Sequence, residues 1–353
     1  KLKAIQIPYR FNMRIPSMRN HFITLDHGSG GEASHELVHD IFMSRLSNRF
    51  LNRMDDSAVL NLSGGNVAMT TDSYVVDPIF FPGGDIGSLA VHGTVNDLSM
   101  QGAVPLYLTL GLILEEGFPL EDLAKIVDSV GQACRESGVM VVAGDTKVVP
   151  KGHADKIFIN TAGIGSIPDG IDVSSCNGKP GDLILINGHI AEHGLAILTR
   201  RQGLELRSAL LSDSAPLNSL VGRILHVCPQ THILRDPTRG GVATALNEIA
   251  DQSGVGIHLF EDALPISRSV SAVSEILGID PLYVANEGKC LVFVAKEDAK
   301  SVLRSMKKHP LGKKSAIIGE VTDQNIGKVL LKTKVGGTRI LPVLTGEQLP
   351  RIC

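Results

Sequence analysis

The sequence predicts an α/β protein with two layered domains, and three observations lead to this prediction. At 353 residues, 43% of them hydrophobic, the chain is long enough for two cores. Short β-rich runs alternate with amphipathic helical segments in both halves, which is typical of helices layered on sheets. A polar stretch at 168–180 separates the halves. We therefore place one domain at 21–167, a second at 168–335 and a flexible tail at 336–353.

The first half begins with an apolar run at 22–25, a glycine loop and a helical pattern through about residue 46. The helix at 119–137 is the clearest element, because Pro119 occupies its first turn, Gly138 follows its end, and its apolar residues fall on one face. The other elements, each recognised by its apolar period, are strands at 67–71, 106–114, 139–143 and 156–164 and a helix at 86–101.

The second half repeats this alternation without repeating the sequence. Its helix at 240–254 opens on Arg239-Gly240-Gly241, a turn whose glycines let the backbone approach a ligand. The remaining predicted elements are strands at 182–187, 291–295, 316–321 and 328–333 and helices at 194–202, 216–228 and 298–308.

The composition argues against several partners and locations. The net charge of only −3 gives no reason to expect nucleic acid or an anionic membrane as a partner. No apolar run approaches the roughly 20 residues that cross a bilayer. The five cysteines are odd in number and widely spaced, which predicts a reducing cytoplasm and neither a disulfide scaffold nor a cysteine zinc site. We interpret the basic segment at 1–20 as an extension or an expression remnant, not a secretory signal.

Aspartates gather at the ends of apolar runs in the first half. The main ones are Asp56, Asp72, Asp97 and Asp145. In α/β sheets the strand ends converge on one crevice, where several carboxylates would repel one another without a cation. Magnesium suits oxygen ligands and recruits substrate phosphates to complete its shell. Any one of these residues alone would be interpreted as a turn or helix cap, but the set predicts a magnesium–nucleotide site.

Candidate phosphate-binding groups lie in both halves. The glycine loop Gly28, Ser29, Gly30 and Gly31 precedes a helix, whose free N–H groups could hold phosphate, although it is not a Walker loop. Lys147, two residues after Asp145, could neutralise a metal-bound phosphate or relay a proton; a solvated loop lysine is an equal alternative. Arg239 could contact a phosphate, and Glu287 could project from the start of a strand. In isolation, a plain capped turn is slightly favoured for the arginine, and an exposed glutamate is the usual explanation of Glu287.

A zinc site is the competing interpretation. The motif His35-Glu36-x-x-His39 has the zincin spacing, in which two histidines lie one helical turn apart and the glutamate between them can act as a general base. The positions at which a metzincin needs glycine and histidine hold Phe42 and Arg45. A chance match is therefore favoured, with a zinc metalloprotease kept as an alternative.

The chain ends in a thiol, because Cys353 follows Pro350, Arg351 and Ile352. Gly336 and Gly337 loosen the approach, and the prolines keep it extended. A frayed terminal cysteine is free to react, so we expect an arm that carries a thiol.

These residues together resemble the HypE family of hydrogenase maturation factors, within the aminoimidazole-ribonucleotide-synthetase (PurM-like) superfamily, from about Thr24 to the end. The matching segments lie at 26–31, 71–78, 81–84, 144–149, 236–241, 285–289 and 350–353. The closing Pro-Arg-Ile-Cys is the specific one, since other superfamily members share the aspartate-rich site but not the thiol. One departure is Ala191-Glu192-His193-Gly194, where the family usually has Gly-Asp-His-Gly.

The resemblance implies a two-domain PurM-like fold and an ATP-dependent carbamoyl dehydratase. The carbamoyltransferase HypF would load a carbamoyl group onto Cys353, and ATP would drive its dehydration to a thiocyanate. Mg²⁺ and Lys147 would stabilise the transferring phosphoryl group, Asp145, Thr146 and Arg239 would bind nucleotide, and Glu287 and Lys147 would transfer protons. The cyanide would pass to the HypC–HypD scaffold complex for the iron of a [NiFe]-hydrogenase. The family also implies a homodimer. A passive thiol carrier that only senses nucleotide is a further alternative.

Overall fold

The computed structural model describes residues 31–43, 48, 50–62, 64–204, 210–344, 346, 349 and 351–353. The predicted basic extension, the apolar run at 22–25 and the start of the glycine loop lie outside these residues. The α-helices are α1 Glu32–Leu37, α2 Ile86–Met100, α3 Leu120–Ser137, α4 Glu192–Arg201, α5 Asn218–Val227, α6 Gly241–Ser253, α7 Arg268–Leu277 and α8 Ala299–Lys307. No helix within this part of the chain is long and apolar enough to cross a membrane.

The first domain is built on a five-stranded sheet with the order β1-β2-β7-β5-β6. Its strands are β1 Ala58–Leu62, β2 Gly65–Tyr74, β5 Val104–Glu115, β6 Met140–Val149 and β7 Ile157–Ile167, and a small hairpin joins β3 Phe80–Phe81 to β4 Gly84–Asp85. Only β5 and β6 are parallel. The domain therefore mixes a mainly antiparallel sheet with helices, as α+β layers do.

The second domain is built on a seven-stranded sheet with the order β14-β13-β10-β12-β8-β11-β9. Its strands are β8 Leu183–Ile186, β9 Ile233–Arg235, β10 Gly256–Phe260, β11 Leu291–Val294, β12 Ala316–Thr322, β13 Val329–Lys332 and β14 Thr338–Leu341. Two apolar clusters lie in this domain, one with residues of α4, α6 and α7 and the other with residues of α5 and α8. This arrangement explains why β8 and β11 have almost uniformly apolar sequences.

Helix α2 lies between the domains, which explains its composition. It is buried on nearly every face and contacts β2 and β7 on one side and α5 and β9 of the second domain on the other. Asp85 caps its start, with Oδ1 accepting from the N–H groups of Gly87 and Ser88 at 2.8 and 2.9 Å. A helix enclosed in this way carries small and apolar residues all round instead of one apolar stripe.

The last strand corrects the predicted tail boundary. Thr338–Leu341, assigned above to the flexible tail, pair antiparallel with β13. Gly336, expected to loosen the chain, has φ +85° and lies in the turn of this hairpin, where Gly337 N–H donates to Thr333 Oγ1. The glycines therefore close a hairpin, and the segment after the last strand begins at 342.

Candidate active site

A cavity of about 300 Å³ lies between the two domains. Its wall is strongly charged, with six carboxylates and two arginines among the lining residues. The lining residues are Asp56, Thr70, Thr71, Asp72, Gly93 and Asp97 from the first domain, Arg235, Asp236, Thr238, Arg239, Ala245, Glu248 and Glu287 from the second, and Cys353.

Three of the four aspartates predicted as cation ligands lie on the first-domain wall. Asp56 precedes β1, Asp72 lies within β2, and Asp97 lies in the last turn of α2. The Thr70 hydroxyl donates to Asp97 Oδ2 over 2.9 Å, which joins β2 to α2 at this wall. The structure thus brings the three carboxylates to one cavity from separate elements.

Arg235, at the end of β9, is held between carboxylates from both domains. Its Nη1 lies 3.0 Å from Asp56 Oδ1 and its Nη2 lies 2.6 Å from Glu248 Oε2. The three side chains are only 14%, 11% and 18% exposed. Arginine keeps its proton in such surroundings, so Arg235 is a fixed positive charge in the wall. Neither Arg235 nor Glu248 was predicted as a site residue, because a lone arginine at the end of a strand and a lone glutamate on a helix carry no signal in the sequence.

The turn from β9 into α6 requires glycine at its end. Gly241 has φ +63°, and a Cβ there would meet the carbonyl oxygens of Leu282 and Val284 at 2.6 and 2.7 Å. Only glycine fits so close to that backbone. The turn brings Thr238 and Arg239 to the cavity wall.

Glu287 reaches the cavity from the loop before β11, and buried partners fix its backbone. Its N–H donates to Asp213 Oδ1 over 3.2 Å, and its carbonyl accepts from Asn96 Nδ2 over 3.1 Å. Asp213 is held in turn by Lys289, 2.7 Å away. Within the described part of the chain, Oε1 of Glu287 is buried without a hydrogen-bond partner. A rigidly mounted carboxylate with an unused oxygen is suited to proton transfer with a ligand.

Burial and crowding raise the proton affinity of the cavity. Burial raises the pKa values of Asp56, Asp97 and Glu287 well above their ordinary range, and neighbouring acids raise them further. Burial also raises the pKa of Asp236 to about 6, against the lowering influence of Arg235. These acids repel one another when ionised, so the cavity favours either bound protons or a bound cation.

The donor set of the cavity fits magnesium. Mg²⁺ keeps several waters and takes one or two carboxylates together with phosphate oxygens. Oδ2 of Asp56 is buried with no hydrogen-bond partner among the residues described, so it is available as a ligand. Nowhere in those residues could a group of three His, Cys, Asp or Glu side chains hold a metal unaided. This donor set is consistent with a cation that arrives with phosphate.

Cys353 lies in the cavity and not on a frayed arm. Burial raises the pKa of its thiol to about 12, while the nearby Arg239 guanidinium lowers it and Glu287 and Asp72 raise it. Cys353 also packs against the apolar cluster that contains Ile352. The expectation of an undocked terminus is therefore corrected, because apolar burial and hydrogen bonds hold the end of the chain.

Asp145, Thr146 and Lys147 lie away from this cavity in the single chain. They belong to β6, the edge strand of the first sheet, and do not line the cavity. Lys147 Nζ is 2.6 Å from Asp145 Oδ2, with the two side chains 69% and 70% exposed. The expectation that Asp145 shares a cation with the other three aspartates of the same chain is corrected, because an edge strand carries it into solvent.

The glycine loop lies mostly outside the described residues, which exclude Gly28, Ser29 and Gly30. Gly31 is buried, and its carbonyl accepts from His35 N–H over 3.1 Å at the start of α1.

The zincin spacing does not produce a metal site in the described residues. The helix changes to a π-helical segment at Val38–Met43, and the two imidazoles contact different carboxylates. His35 Nε2 lies 3.2 Å from Glu248 Oε1, and His39 Nδ1 lies 3.1 Å from Asp40 Oδ1. A zinc protease needs a third protein ligand for its metal, and the described residues place none beside the two histidines.

Comparison with protein families assigns both domains. The family described as AIR synthase related protein, N-terminal domain, matches residues 54–167, and the corresponding C-terminal domain matches residues 179–332. Each match contains one of the two sheets up to β13.

Individual relatives are similar along nearly the whole chain. A Cupriavidus necator protein named carbamoyl dehydratase HypE is 49% identical over 351 residues, 99% of each chain. A solved structure of HypE in complex with ATP is 51% identical with a TM-score of 0.80, covering 94% of this chain and 100% of that chain. A structure of a HypE–HypF complex is 49% identical with a TM-score of 0.84, covering 87% of this chain and 99% of the other.

Asp72→Asn and Asp97→Asn are each expected to weaken binding of a magnesium nucleotide by about tenfold, ~1.4 kcal/mol, because each removes one anionic ligand. Affinity should also fall as the pH drops through the raised pKa values, since protons then compete with the cation. Calorimetric titration measures both effects, with Asp169→Asn on an exposed loop as the control. Wild-type affinity in both variants would rule out a cation held by these aspartates.

Proposed function

We propose that this chain, which belongs to the HypE family of AIR synthase related proteins, uses ATP to dehydrate a carbamoyl group carried on the sulfur of its own Cys353. The product is a thiocyanate. The observation that carries the proposal is the position of Cys353 in a cavity lined by six carboxylates and two arginines between the two domains. The relatives named carbamoyl dehydratase and the ATP complex of a 51% identical protein support the same reaction.

The proposed reaction has two steps, phosphorylation of the carbamoyl oxygen and loss of phosphate. The carbonyl oxygen of Cys353–S–C(=O)–NH₂ attacks the γ-phosphorus of ATP, an N–H proton leaves, and the bond to ADP breaks. The carbon–oxygen bond then breaks, phosphate departs with that oxygen, and loss of the second N–H proton gives S–C≡N. The sum is thiocarbamate plus ATP to thiocyanate, ADP, phosphate and a proton. Phosphorylation is needed because an amide oxygen is otherwise a poor leaving group.

Side chains that line the cavity are our candidates for proton transfer, for phosphate binding and for holding the cation. Glu287 is our candidate for accepting N–H protons, since its buried carboxyl has an unused oxygen and a high proton affinity close to Cys353. Arg239 would hold phosphate oxygens or the developing negative charge near the sulfur. Asp56, Asp72 and Asp97 would hold Mg²⁺, which when bound screens the charge of the transferring phosphoryl group.

We further propose a homodimer formed through the open side of the first sheet. Strand β6 is exposed along almost its full length. Large apolar side chains are exposed on β5, β6 and β7, among them Val104, Tyr107, Ile113, Met140, Val141, Val142, Val148 and Ile164. An exposed valine-rich edge strand favours a covering partner, and a second copy satisfies it through a two-fold axis.

In such a dimer the predicted roles of Asp145, Thr146 and Lys147 would depend on the second copy. They lie on the strand that the proposed interface covers. We propose that they approach the nucleotide of the partner subunit, where Lys147 would stabilise the transferring phosphoryl group and take part in proton transfer.

The remaining partners follow from the proposed reaction. HypF would supply the carbamoyl group, as the HypE–HypF complex suggests, and the HypC–HypD scaffold would accept the cyanide for the iron of a [NiFe]-hydrogenase. Cys353 forms no disulfide, which suits a reducing cytoplasm and a terminal thiol that must stay reduced.

Replacement of Cys353 should abolish the proposed reaction. Cys353→Ala is expected to acquire no carbamoyl group and to show no carbamoyl-dependent ATP turnover. Intact mass should show the wild type gaining one carbamoyl group with HypF and donor, then losing one water when ATP is added. The matched controls are alanine at Cys134, Cys176, Cys228 or Cys290, which should affect at most stability. A Cys353→Ala protein that still forms the cyanide ligand would refute the proposal.

Subunit mixing tests whether Lys147 acts on the partner's site. Lys147→Ala and Glu287→Gln should each inactivate a homodimer, whereas a mixed population should recover roughly a quarter of wild-type activity, because each heterodimer rebuilds one intact site. Differently tagged, co-expressed chains allow the heterodimer to be purified and assayed. A purified heterodimer without activity would place Lys147 and Glu287 in the same chain's site, and a Lys147→Ala homodimer with wild-type activity would exclude Lys147 from the reaction.

A further inference from the structure

The last three residues offer every main-chain carbonyl to a donor from the first or second domain. The carbonyl of Arg351 accepts from Asp77 N–H at 3.2 Å and from Arg201 Nη2 at 2.9 Å. The carbonyl of Ile352 lies 2.7 Å from His193 Nε2, and that of Cys353 accepts from Val75 N–H at 2.9 Å. Hydrogen bonds to three consecutive carbonyls fix the position of this segment along the cavity.

The side chains of this segment alternate between different environments. Arg351 Nε donates to the carbonyl of Val75 over 2.8 Å, and its guanidinium contacts Asp155. Ile352 is only 4% exposed and packs in the apolar cluster that includes Tyr74 and Phe81. With Arg351 on one side and Ile352 inside the cluster, the next side chain, Cys353, enters the cavity.

His193 is placed to donate a hydrogen bond to the backbone of this segment. It is fully buried, with Nδ1 2.7 Å from Ser212 Oγ and Nε2 2.7 Å from the carbonyl of Ile352. Burial lowers its pKa, so the ring is neutral and carries one proton. A carbonyl can only accept, which assigns the proton to Nε2 and leaves Nδ1 to accept from the serine hydroxyl. The ring of Phe81 lies perpendicular to the imidazole, with 5.6 Å between the ring centroids, and restricts the plane of the imidazole.

We propose that Val75, Asp77, Asp155, His193 and Arg201 form a receptor for the last three residues, and that His193 is a positioning residue that keeps the Cys353 thiol inside the cavity. We call this set the tail receptor. The proposal rests on the proposed function, which gives the thiol a reason to be there. His193 does not line the cavity; it acts through the backbone of Ile352.

The proposed tail receptor predicts how fast a reagent can modify the Cys353 thiol. Cys353 is half-buried at the cavity wall, and a reagent in solution reaches its sulfur far more readily once these contacts open, so the labelling rate reports the opening equilibrium. Removing one hydrogen bond of about 1.4 kcal/mol should raise that rate about tenfold. Because Asn and Gln place an amide donor near the positions of Nδ1 and Nε2 respectively, they form a matched pair at residue 193. His193→Gln can still donate to Ile352, whereas His193→Asn cannot reach it.

The test is the rate of N-ethylmaleimide addition to Cys353 in the full chain, followed on the C-terminal peptide by mass spectrometry, without ATP or carbamoyl donor. We expect slow labelling in the wild type and in His193→Gln, and labelling about tenfold faster in His193→Asn and in Arg351→Ala. Arg351 is 31% exposed, so Arg351→Ala keeps the test available if a change at buried His193 unfolds the protein. Arg339→Ala, which removes an exposed ion pair with Asp280, is the control and should label as the wild type does.

Three outcomes would overturn the proposal. Wild-type Cys353 that labels as fast as a free cysteine peptide would show no receptor. Labelling of Arg351→Ala at the wild-type rate would show that the Arg351 contacts do not hold the segment in place. Equally accelerated labelling in both His193 variants would mean that His193 acts by packing and not by donating a hydrogen bond to Ile352. Because the assay needs no carbamoyl group, its result is separate from the proposed function: slow labelling with no dehydration would leave the receptor standing and refute the reaction.

Discussion

The confinement of many carboxylates in one small cavity is the constraint on which the rest of the structure depends. Asp56, Asp72, Asp97, Asp236, Glu248 and Glu287 line a volume of about 300 Å³. Six ionised carboxylates would repel one another strongly in so small and buried a volume, so the surroundings must supply positive charge. Arg235 provides a fixed part through Asp56 and Glu248, Arg239 provides another, and bound protons or a bound cation complete the balance. The two domains meet where these charges are shared.

The rigidity around this cavity has a clear source in the enclosed helix α2 and the loop before β11. Asn96 donates to the carbonyls of Ala215 and Glu287 and accepts from Leu217 N–H, so one buried side chain of the first domain positions the loop that carries Glu287. Asp213 fixes the other side of that loop. A carboxyl held in a fixed place suits the proposed proton transfer, because only the segment that carries Cys353 must then be positioned against it.

Sequence reasoning identified most of the fold and part of the site, and the reasons differ by residue. The helix now observed at Leu120–Ser137 was predictable from its amphipathic face and its terminal signals, and Asp56, Asp72 and Asp97 from their positions at the ends of apolar runs. The short strand Ile233–Arg235 was missed, since three residues give no period. Asp145 was predicted from its position after an apolar run and Lys147 from its place two residues later, but no local pattern reveals that their strand is an exposed edge. The docking of Arg351 and Ile352 depends on contacts about 160 to 280 residues away in sequence, which no local signal contains.

The central claim is that the terminal thiol carries the reacting group inside the carboxylate cavity, and the nitrile stretch of the product tests it most directly. Infrared spectra of carbamoylated protein, recorded after rapid mixing with magnesium and ATP, should show a nitrile band that appears with turnover. Its frequency at first should be that of a nitrile shielded from water, and the Cys353→Ala protein should give no band. A nitrile band that is fully hydrated from the first turnover, or one that appears without Cys353, would contradict the account.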